Sequence, residues 1–394
     1  MTVARAILTE YGDVLLHRGV ELTDRYILSL RDRGYSSILV EDLATAGINV
    51  PETISGEVRA SISGKLNETF GAFRTVTKDL NGQPLDKVAA GLQSDAYRQS
   101  ADKIDPYRTM IDDIRRMVDD LLTVDVLDGL NAIKLHGDWL LQHSIDVTVV
   151  ALMIGKQLRL DPRDLRMLAL GSLVHDVGKT FIDKAIVTKP CPLSRGEWDK
   201  MREHPRLGYL LLRSSGSPQD LLAHHVAYQH HERQDGTGYP RGLRGTNRVM
   251  RVRRGRSGLS GILPIAEIVA VANVYEALST RRAYRTAYAH EHIPGMLQQL
   301  AGTVLNSELV SALDAVLPLI PTGTSIDVVG GEYDGFRGVV ARIDRQHLRR
   351  PWIRLLSDPA GRETTLFDVD LLDHPESRIR SVLVALEAEM QAAG

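Results

Sequence analysis

The sequence predicts a multidomain, mainly α chain: an all-α domain flanked by a small α/β N-terminal module and a small C-terminal β-barrel. Three observations carry this prediction. Helical periodicity runs from about 127 to 316. After Pro321 the texture changes to short β-type runs, parted by Gly, Asp or Pro turns roughly every ten residues. The first 50 residues mix both patterns.

In residues 1–50, AILTE and VLLHRG flank the turn Tyr11-Gly12-Asp13 and read as a hairpin. Thr23 caps a short helix, DRYILSLRDR, that Gly34 stops, and SSILVED is a strand. Residues 51–126 are polar and helical in pattern, a connector holding the first module against the rest. The α domain, 127–316, opens with LNAIKLHGDWLLQHSIDVTVVALMIGKQL, one long helix or two. Asp161-Pro162 starts the next helix, with proline at a first-turn position where its missing N–H costs nothing. Further helices are expected over 195–213, 218–231, 263–280 and 288–316. SIDVVGG, RGVVARID, WIRLLSD and TTLFDVDLL supply the barrel, 321–373, and SRIRSVLVALEAEMQ a closing helix within 374–394.

Composition narrows the function classes. Of 394 residues, 43% are hydrophobic and 25% charged, ordinary for a globular protein. A net charge of −2 gives no global reason to bind nucleic acid or an anionic membrane. The single Cys191 excludes an internal disulfide framework and fits a reducing compartment. No secretory signal and no apolar run of about 18 residues is present, so a cytoplasmic protein without membrane insertion is expected.

Potential metal ligands recur on successive elements of the α domain: His143, His175-Asp176, His204 and His230-His231. Imidazoles with a carboxylate suit a divalent metal such as Fe, Mn or Zn. Asp176 can bridge two ions, and two ions about 3.5–4 Å apart can activate water and clamp a phosphoryl displacement. Taken singly, each residue has a plainer reading. His143 would be a satisfied core histidine, His175-Asp176 a chance dipeptide, His204 a helix end before Pro205, and His230-His231 a pair like His224-His225. Joint occurrence is the signal, together with DGTGYP, where Gly236 and Gly238 permit positive φ and close backbone approach.

LVHDVGKTFI, KPCPLSRGEW, EHPRLGYLLL, HHERQDGTGYPRGLRG and VYEALSTRRAYR together resemble the HD-GYP family of HD-domain phosphohydrolases, over about residues 135–316. The resemblance implies an HD-type helical domain that cleaves cyclic di-GMP to pGpG and onward to GMP, using one or two divalent ions, Fe or Mn. It implies metal ligands at His143, His175, Asp176, His204, His230 and His231. Asp176 and Lys179 would be catalytic, the first bridging ions and the second on a substrate phosphate. Tyr239 and Pro240 would shape the nucleotide pocket, and Arg282 and Arg285 would contact phosphate.

The chain departs from the pattern in several places. Asn273 stands where the family has a ligating aspartate, which removes one negative charge and should weaken the nearest ion. Glu276, at i+3 on the same helical face, either compensates, directly or through water, or is a surface or supporting glutamate. A non-catalytic receptor or protein-interaction module is therefore an alternative reading, as is hydrolysis of another cyclic nucleotide. Between GLRG and ILPIAEIVAVANVYEAL lies TNRVMRVRRGRSGLSG, carrying Arg248, Arg251, Arg253, Arg254 and Arg256. It is either a solvated loop or a cover that holds an anionic dinucleotide or a protein partner. Without interleaved aromatics it gives no case for nucleic acid. Ala283 replaces the usual proline and should loosen its loop. Trp139 stands where some relatives place a glutamate for another ion, so no third metal is expected. Cys191 is assigned no role.

Overall fold

The computed structural model describes residues 1–9, 14–33, 35, 38–130, 139–215, 221–249, 261–280 and 287–382. Several expectations fall outside them: the turn at Tyr11-Gly12-Asp13, Gly34, Ser36-Ser37, residues 131–138 and 218–220, the insertion from 250 to 260, Arg282, Ala283 and Arg285, and the chain beyond 382.

At the N-terminus, β1 (Thr2–Val3) pairs with β4 (Val40–Glu41), and β2 (Ile7–Leu8) with β3 (Val14–Leu16), both antiparallel. Helix α1 (Asp24–Asp32) starts where the Thr23 hydroxyl accepts the Tyr26 N–H. Val3, Ile7 and Leu30 form the small core of this module.

The expected connector is helical: α2 (Gly56–Val76), α3 (Leu85–Gly91), α4 (Asp95–Ala101) and α5 (Pro106–Leu122). In α2, Val58, Ile62, Leu66, Phe70 and Phe73 recur every three or four residues and are all buried. In α5 the buried stripe is Met110, Ile114, Met117, Val118 and Leu121. These stripes belong to the same apolar core as the helices that follow, so the segment is packed into the α domain rather than strung before it.

The centre of that core is α6 (Trp139–Gln157), whose residues Ile145, Val147, Val149 and Ile154 are fully buried. Being apolar all round, α6 is covered on every side, by α7 (Pro162–Val174), α2 and α12 (Pro264–Ser279) among others. Asp161 caps α7 by accepting the Arg163 and Asp164 N–H groups, both at 2.9 Å. A 3₁₀ turn (Val177–Phe181) leads to α8 (Lys184–Val187). The helix expected over 195–213 is two, α9 (Arg195–Met201) and α10 (His204–Leu212), because Pro205 in the first turn of α10 cannot continue a helix from before it. Helix α11 (Leu221–Gln229) follows. The 288–316 segment likewise divides into α13 (Ile293–Leu300) and α14 (Ser307–Asp314), parted by a turn with Gly302 at φ +87°.

Strands β5 (Ser325–Val329), β6 (Arg337–Arg342), β7 (Trp352–Ser357), β8 (Glu363–Asp370) and β9 (Arg378–Ser381) form one antiparallel sheet in the order β8-β7-β6-β5-β9. Two expectations are corrected here. The sheet is open, with β8 and β9 at opposite edges, and not a closed barrel. Residues 378–381, assigned by pattern to the closing helix, are a strand. Their burial alternates, Ile379 and Ser381 facing inward, and they pair with β5.

Asp128 joins the parts. Its carboxylate accepts the Thr322 N–H at 2.9 Å and the Thr322 hydroxyl at 2.6 Å, and its carbonyl accepts the Thr53 hydroxyl at 2.7 Å. Glu291, ahead of α13, accepts the N–H and hydroxyl of Ser381 at 3.1 and 2.7 Å.

Candidate metal centre

Four elements deliver the expected ligands. His143 projects from the interior of α6, His175 and Asp176 end α7, His204 begins α10, and His230 and His231 follow the last residue of α11. The turn after Asp176 is held by Gly178, where a Cβ would lie 2.0 Å from the His204 carbonyl oxygen and 2.5 Å from the Gly208 nitrogen. That close approach is what brings the α7 end against the α10 start.

The side chains converge as two groups that share one carboxylate: His143, His175 and Asp176, and Asp176, His204, His230 and His231, with ligand atoms in each within 4.8 Å of one another. Asp176 Oδ2 is 3.4 Å from Nε2 of both His143 and His175, while Oδ1 is 3.3 Å from His204 Nε2 and 3.6 Å from His230 Nε2. All six expected protein ligands other than Asn273 are thus brought together.

The outer ring nitrogens decide the tautomers. Nδ1 of His175 lies 2.6 Å from the Ser172 carbonyl, that of His204 2.7 Å from Met201, and that of His230 3.0 Å from Ala227. A carbonyl only accepts, so each Nδ1 carries the proton and each Nε2 presents a lone pair inward. His143 differs: its Nδ1 meets the carboxylate of Glu276 at 2.7 Å. Burial lowers the pKa of His204 and of His230 to about 4, so both rings are neutral near pH 7. His175 and His231 are also pushed down by burial. His143 is held up, because Glu276 and Asp176 outweigh the effect of burial. Burial would raise Asp176, yet Lys179 and the surrounding rings hold it well below the usual carboxylate range.

This arrangement fits a cation. His204 Nε2 and His230 Nε2 face each other at 3.3 Å, and with both Nδ1 protonated these are two opposed lone pairs. His175 Nε2 and Asp176 Oδ1 are buried without a hydrogen-bond partner. Buried polar atoms left so are costly, and a divalent ion is the group that satisfies imidazole lone pairs and a shared carboxylate together. Lys179 Nζ sits 2.5 Å from Asp176 Oδ2, on the rim of the cluster.

The DGTGYP loop closes one side. Glu232, buried and ahead of the loop, accepts the N–H groups of Arg241 and Leu243 that follow it, each at 2.8 Å, and so closes the turn. At Gly238 a Cβ would lie 2.4 Å from the Arg233 nitrogen, so the loop closes only without a side chain there. Tyr239 stacks on His231, centroids 4.7 Å apart and planes 17° from parallel, with Pro240 next in the chain. Asn273 is half-buried on α12, one turn before Glu276, which is buried and bound to His143. Of the two roles open to Glu276 in the sequence, the supporting one is what the geometry displays. Arg282 and Arg285 lie outside the described residues, as does the side chain of Trp139.

Sequence reasoning does not single out Glu232 as the loop's anchor, nor the buried Gln234–Glu267–Asn306 chain behind it, with bonds of 2.6 and 3.0 Å. A lone Glu or Gln beside a turn carries no such signal. A surface depression of about 500 Å³ between Asp327, Arg337, Asp358 and Arg380 belongs to the C-terminal sheet and not to the imidazole cluster.

Residues 130–252 match the HD domain family, and this part of the chain is an HD domain carrying the HD-GYP motifs. Its relatives are cyclic-dinucleotide phosphodiesterases. The cyclic di-GMP phosphodiesterase response regulator RpfG of Xanthomonas campestris pv. campestris is 33% identical over 164 residues, 42% of this chain and 40% of that protein. The 3'3'-cGAMP-specific phosphodiesterase 3 of Vibrio cholerae is 32% identical over 179 residues, 45% of this chain and 35% of its own. The chain thus spans well under half the length of these curated relatives. Among solved structures, Bd1817, a HDG"Y"P protein from Bdellovibrio bacteriovorus, is 15% identical over 80% of this chain and 94% of its own, at a TM-score of 0.38, too weak a likeness to bear on the fold. No helix among the described residues is long and apolar enough to cross a membrane.

Proposed function

We propose that the chain is a metal-dependent phosphodiesterase that opens cyclic di-GMP to pGpG and, by a second cut, yields GMP. The observation that carries this reading is the pair of buried ligand groups sharing Asp176. Two ions held there, Fe or Mn, would supply the charge that neutralises phosphate oxygens and the acidity that activates water. The protein does the rest. Asp176 bridges the two groups, backbone carbonyls fix His175, His204 and His230 with their lone pairs inward, and Glu276 holds His143. Lys179, already at the rim, carries a positive charge to a phosphate oxygen developing charge in the transition state. Tyr239 and Pro240 wall the pocket beside His231. Arg282 and Arg285 would hold the second phosphate, and Asn273 would offer a neutral amide oxygen to one ion. The setting we propose is cytoplasmic, with a cyclic dinucleotide as ligand and a signalling protein meeting the DGTGYP loop or the basic insertion.

Two observations favour other readings. Asn273 takes a charge from the site, which favours a receptor that binds the dinucleotide without cutting it. The relative named for 3'3'-cGAMP favours that substrate. One experiment separates the three. The protein, reconstituted with Mn or Fe and assayed for bound metal, is incubated with each dinucleotide and the products are resolved by chromatography. We expect pGpG from cyclic di-GMP at one to two ions per chain. Both dinucleotides left intact with both ions bound would end the hydrolase reading, and cutting of 3'3'-cGAMP alone would move it to that substrate.

A further inference from the structure

Trp198 is unused by the metal centre and its loop. It lies on α9, whose start is stapled. The Ser194 hydroxyl caps the Glu197 N–H, while the Glu197 carboxylate accepts the Ser194 N–H at 2.7 Å and pairs with Lys189 at 2.6 Å. A helix so fixed could turn its one large aromatic residue inward. Instead the Trp198 side chain is 47% exposed, against the general cost of showing apolar surface to water.

Its neighbours give that exposure a direction. The indole meets the Tyr239 ring edge to face, centroids 6.4 Å apart at 77°. Tyr239 is itself stacked at 4.7 Å on His231, a ligand candidate of the metal centre. Arg202, one turn after Trp198, holds its guanidinium carbon 4.8 Å from the Tyr239 centroid. A row of flat rings therefore runs from the metal centre to the surface, ends in an exposed indole, and carries a cation at its side. Two ring-to-ring steps separate Trp198 from His231, the scale of one nucleotide between its phosphate and the far edge of its base. Planar π surface plus a fixed cation is the chemistry that recognises a base joined to a phosphate.

We propose that Trp198 is the platform on which one base of the bound cyclic dinucleotide stacks, with Arg202 holding Tyr239 in line and adding positive charge near the adjoining phosphate. This rests on the hydrolase reading for the identity of the ligand. Stacking on an indole tolerates any base, so Trp198 binds and orients without choosing guanine over adenine.

The test uses the full chain, reconstituted with Mn, as wild type, Trp198→Ala and Trp198→Phe, each checked for an unchanged melting temperature and metal content. Loss of one base–aromatic stack raises KM by about 5- to 100-fold in Trp198→Ala, equally for cyclic di-GMP and 3'3'-cGAMP, with kcat within about threefold. Trp198→Phe recovers most of the affinity. Tryptophan fluorescence of the wild type falls on dinucleotide addition, and that change is absent from Trp198→Phe. Unchanged KM in Trp198→Ala, a loss confined to one dinucleotide, or quenching that persists in Trp198→Phe would each overturn the platform while leaving the hydrolase reading intact. Binding and Trp198-dependent quenching without turnover would overturn the hydrolase reading and keep the platform. A wild type that neither binds nor cuts would overturn both.

Discussion

Glu276 sets His143 apart from the other imidazoles. The Nδ1 atoms of His175, His204 and His230 rest on neutral carbonyls, whereas that of His143 meets a buried carboxylate at 2.7 Å. A charged partner makes the imidazole a stronger donor through Nε2 and adds negative charge near the group that includes Asp176. On the proposed reading, this carboxylate would partly restore, through a ring rather than by direct ligation, the charge that Asn273 does not supply. Replacing Glu276 by Gln keeps the length and removes the charge. Metal affinity should fall about 10–100-fold, read by chelator competition with elemental analysis, and unaltered affinity would show that Glu276 only fills space. Gly178 is the other decisive residue. The atoms that an added Cβ would strike, His204 O and Gly208 N, are backbone and cannot swing aside. Gly178→Ala should cost about 3 kcal/mol or more and lower metal content with it, measured by denaturant unfolding. A fully stable, fully loaded variant would refute this account of the α7–α10 contact.

At the scale of elements, the site is made mostly of helix ends. His175 and His230 stand at the close of α7 and α11, and His204 at the start of α10 just after the close of α9, so each Nδ1 meets a carbonyl from the last turn of a helix. Only α6 contributes from its interior. The DGTGYP loop is an element in its own right, closed by Glu232 ahead of it on the Arg241 and Leu243 N–H groups that follow it. Glu232→Ala strips the Arg241 and Leu243 N–H groups of their acceptor, at about 1–3 kcal/mol for each group left unpaired. We expect faster hydrogen exchange at 241–243 and weaker dinucleotide binding, with exchange in α6 unaltered. Protection retained at 241–243 would mean that Tyr239 on His231 holds the loop without Glu232.

At the scale of the molecule, Asp128 ties together the chain just before α2, the α domain and the chain entering the C-terminal sheet, through Thr53 and Thr322. Burial raises its carboxyl pKa, despite the Thr322 and Gly129 bonds that oppose the shift. A carboxyl whose folded pKa exceeds its unfolded value favours the fold when protonated. Its contribution is fully present below the unfolded value, about 3.9, and is lost as pH rises through the folded one. Asp128→Asn cannot ionise and keeps an oxygen for the Thr322 N–H. Between pH 4 and pH 7 the wild type should therefore lose stability relative to Asp128→Asn, seen as a shrinking gap or a reversal in denaturation midpoints. A gap that widens in favour of the wild type as pH rises would contradict the sign.

Much of this was legible from residue order, and the reasons for the exceptions are physical. Thr23, Asp161 and Pro162 announce helix starts through local hydrogen bonds and backbone geometry, and the structure has those helices where they are expected. The spaced imidazoles with Asp176 announce a metal centre because each donor is tied to a local element whose ends are readable. What misled was period and length. RIRS continues an apolar helical run in the sequence, but pairing with β5 makes it a strand, since a ladder partner outweighs local propensity. The sharing of one core by 51–126 and the α domain is a fact of long-range packing that polar composition concealed. The chain by itself determined which atoms could bind a cation, because ligand chemistry belongs to residue type. Tertiary structure alone decided that Glu276 supports His143, that Glu232 clamps the loop and that Trp198 faces water beside Tyr239. Those roles arise from contacts between segments far apart in the sequence, or from which way a helix turns its side chain, and no local pattern encodes either.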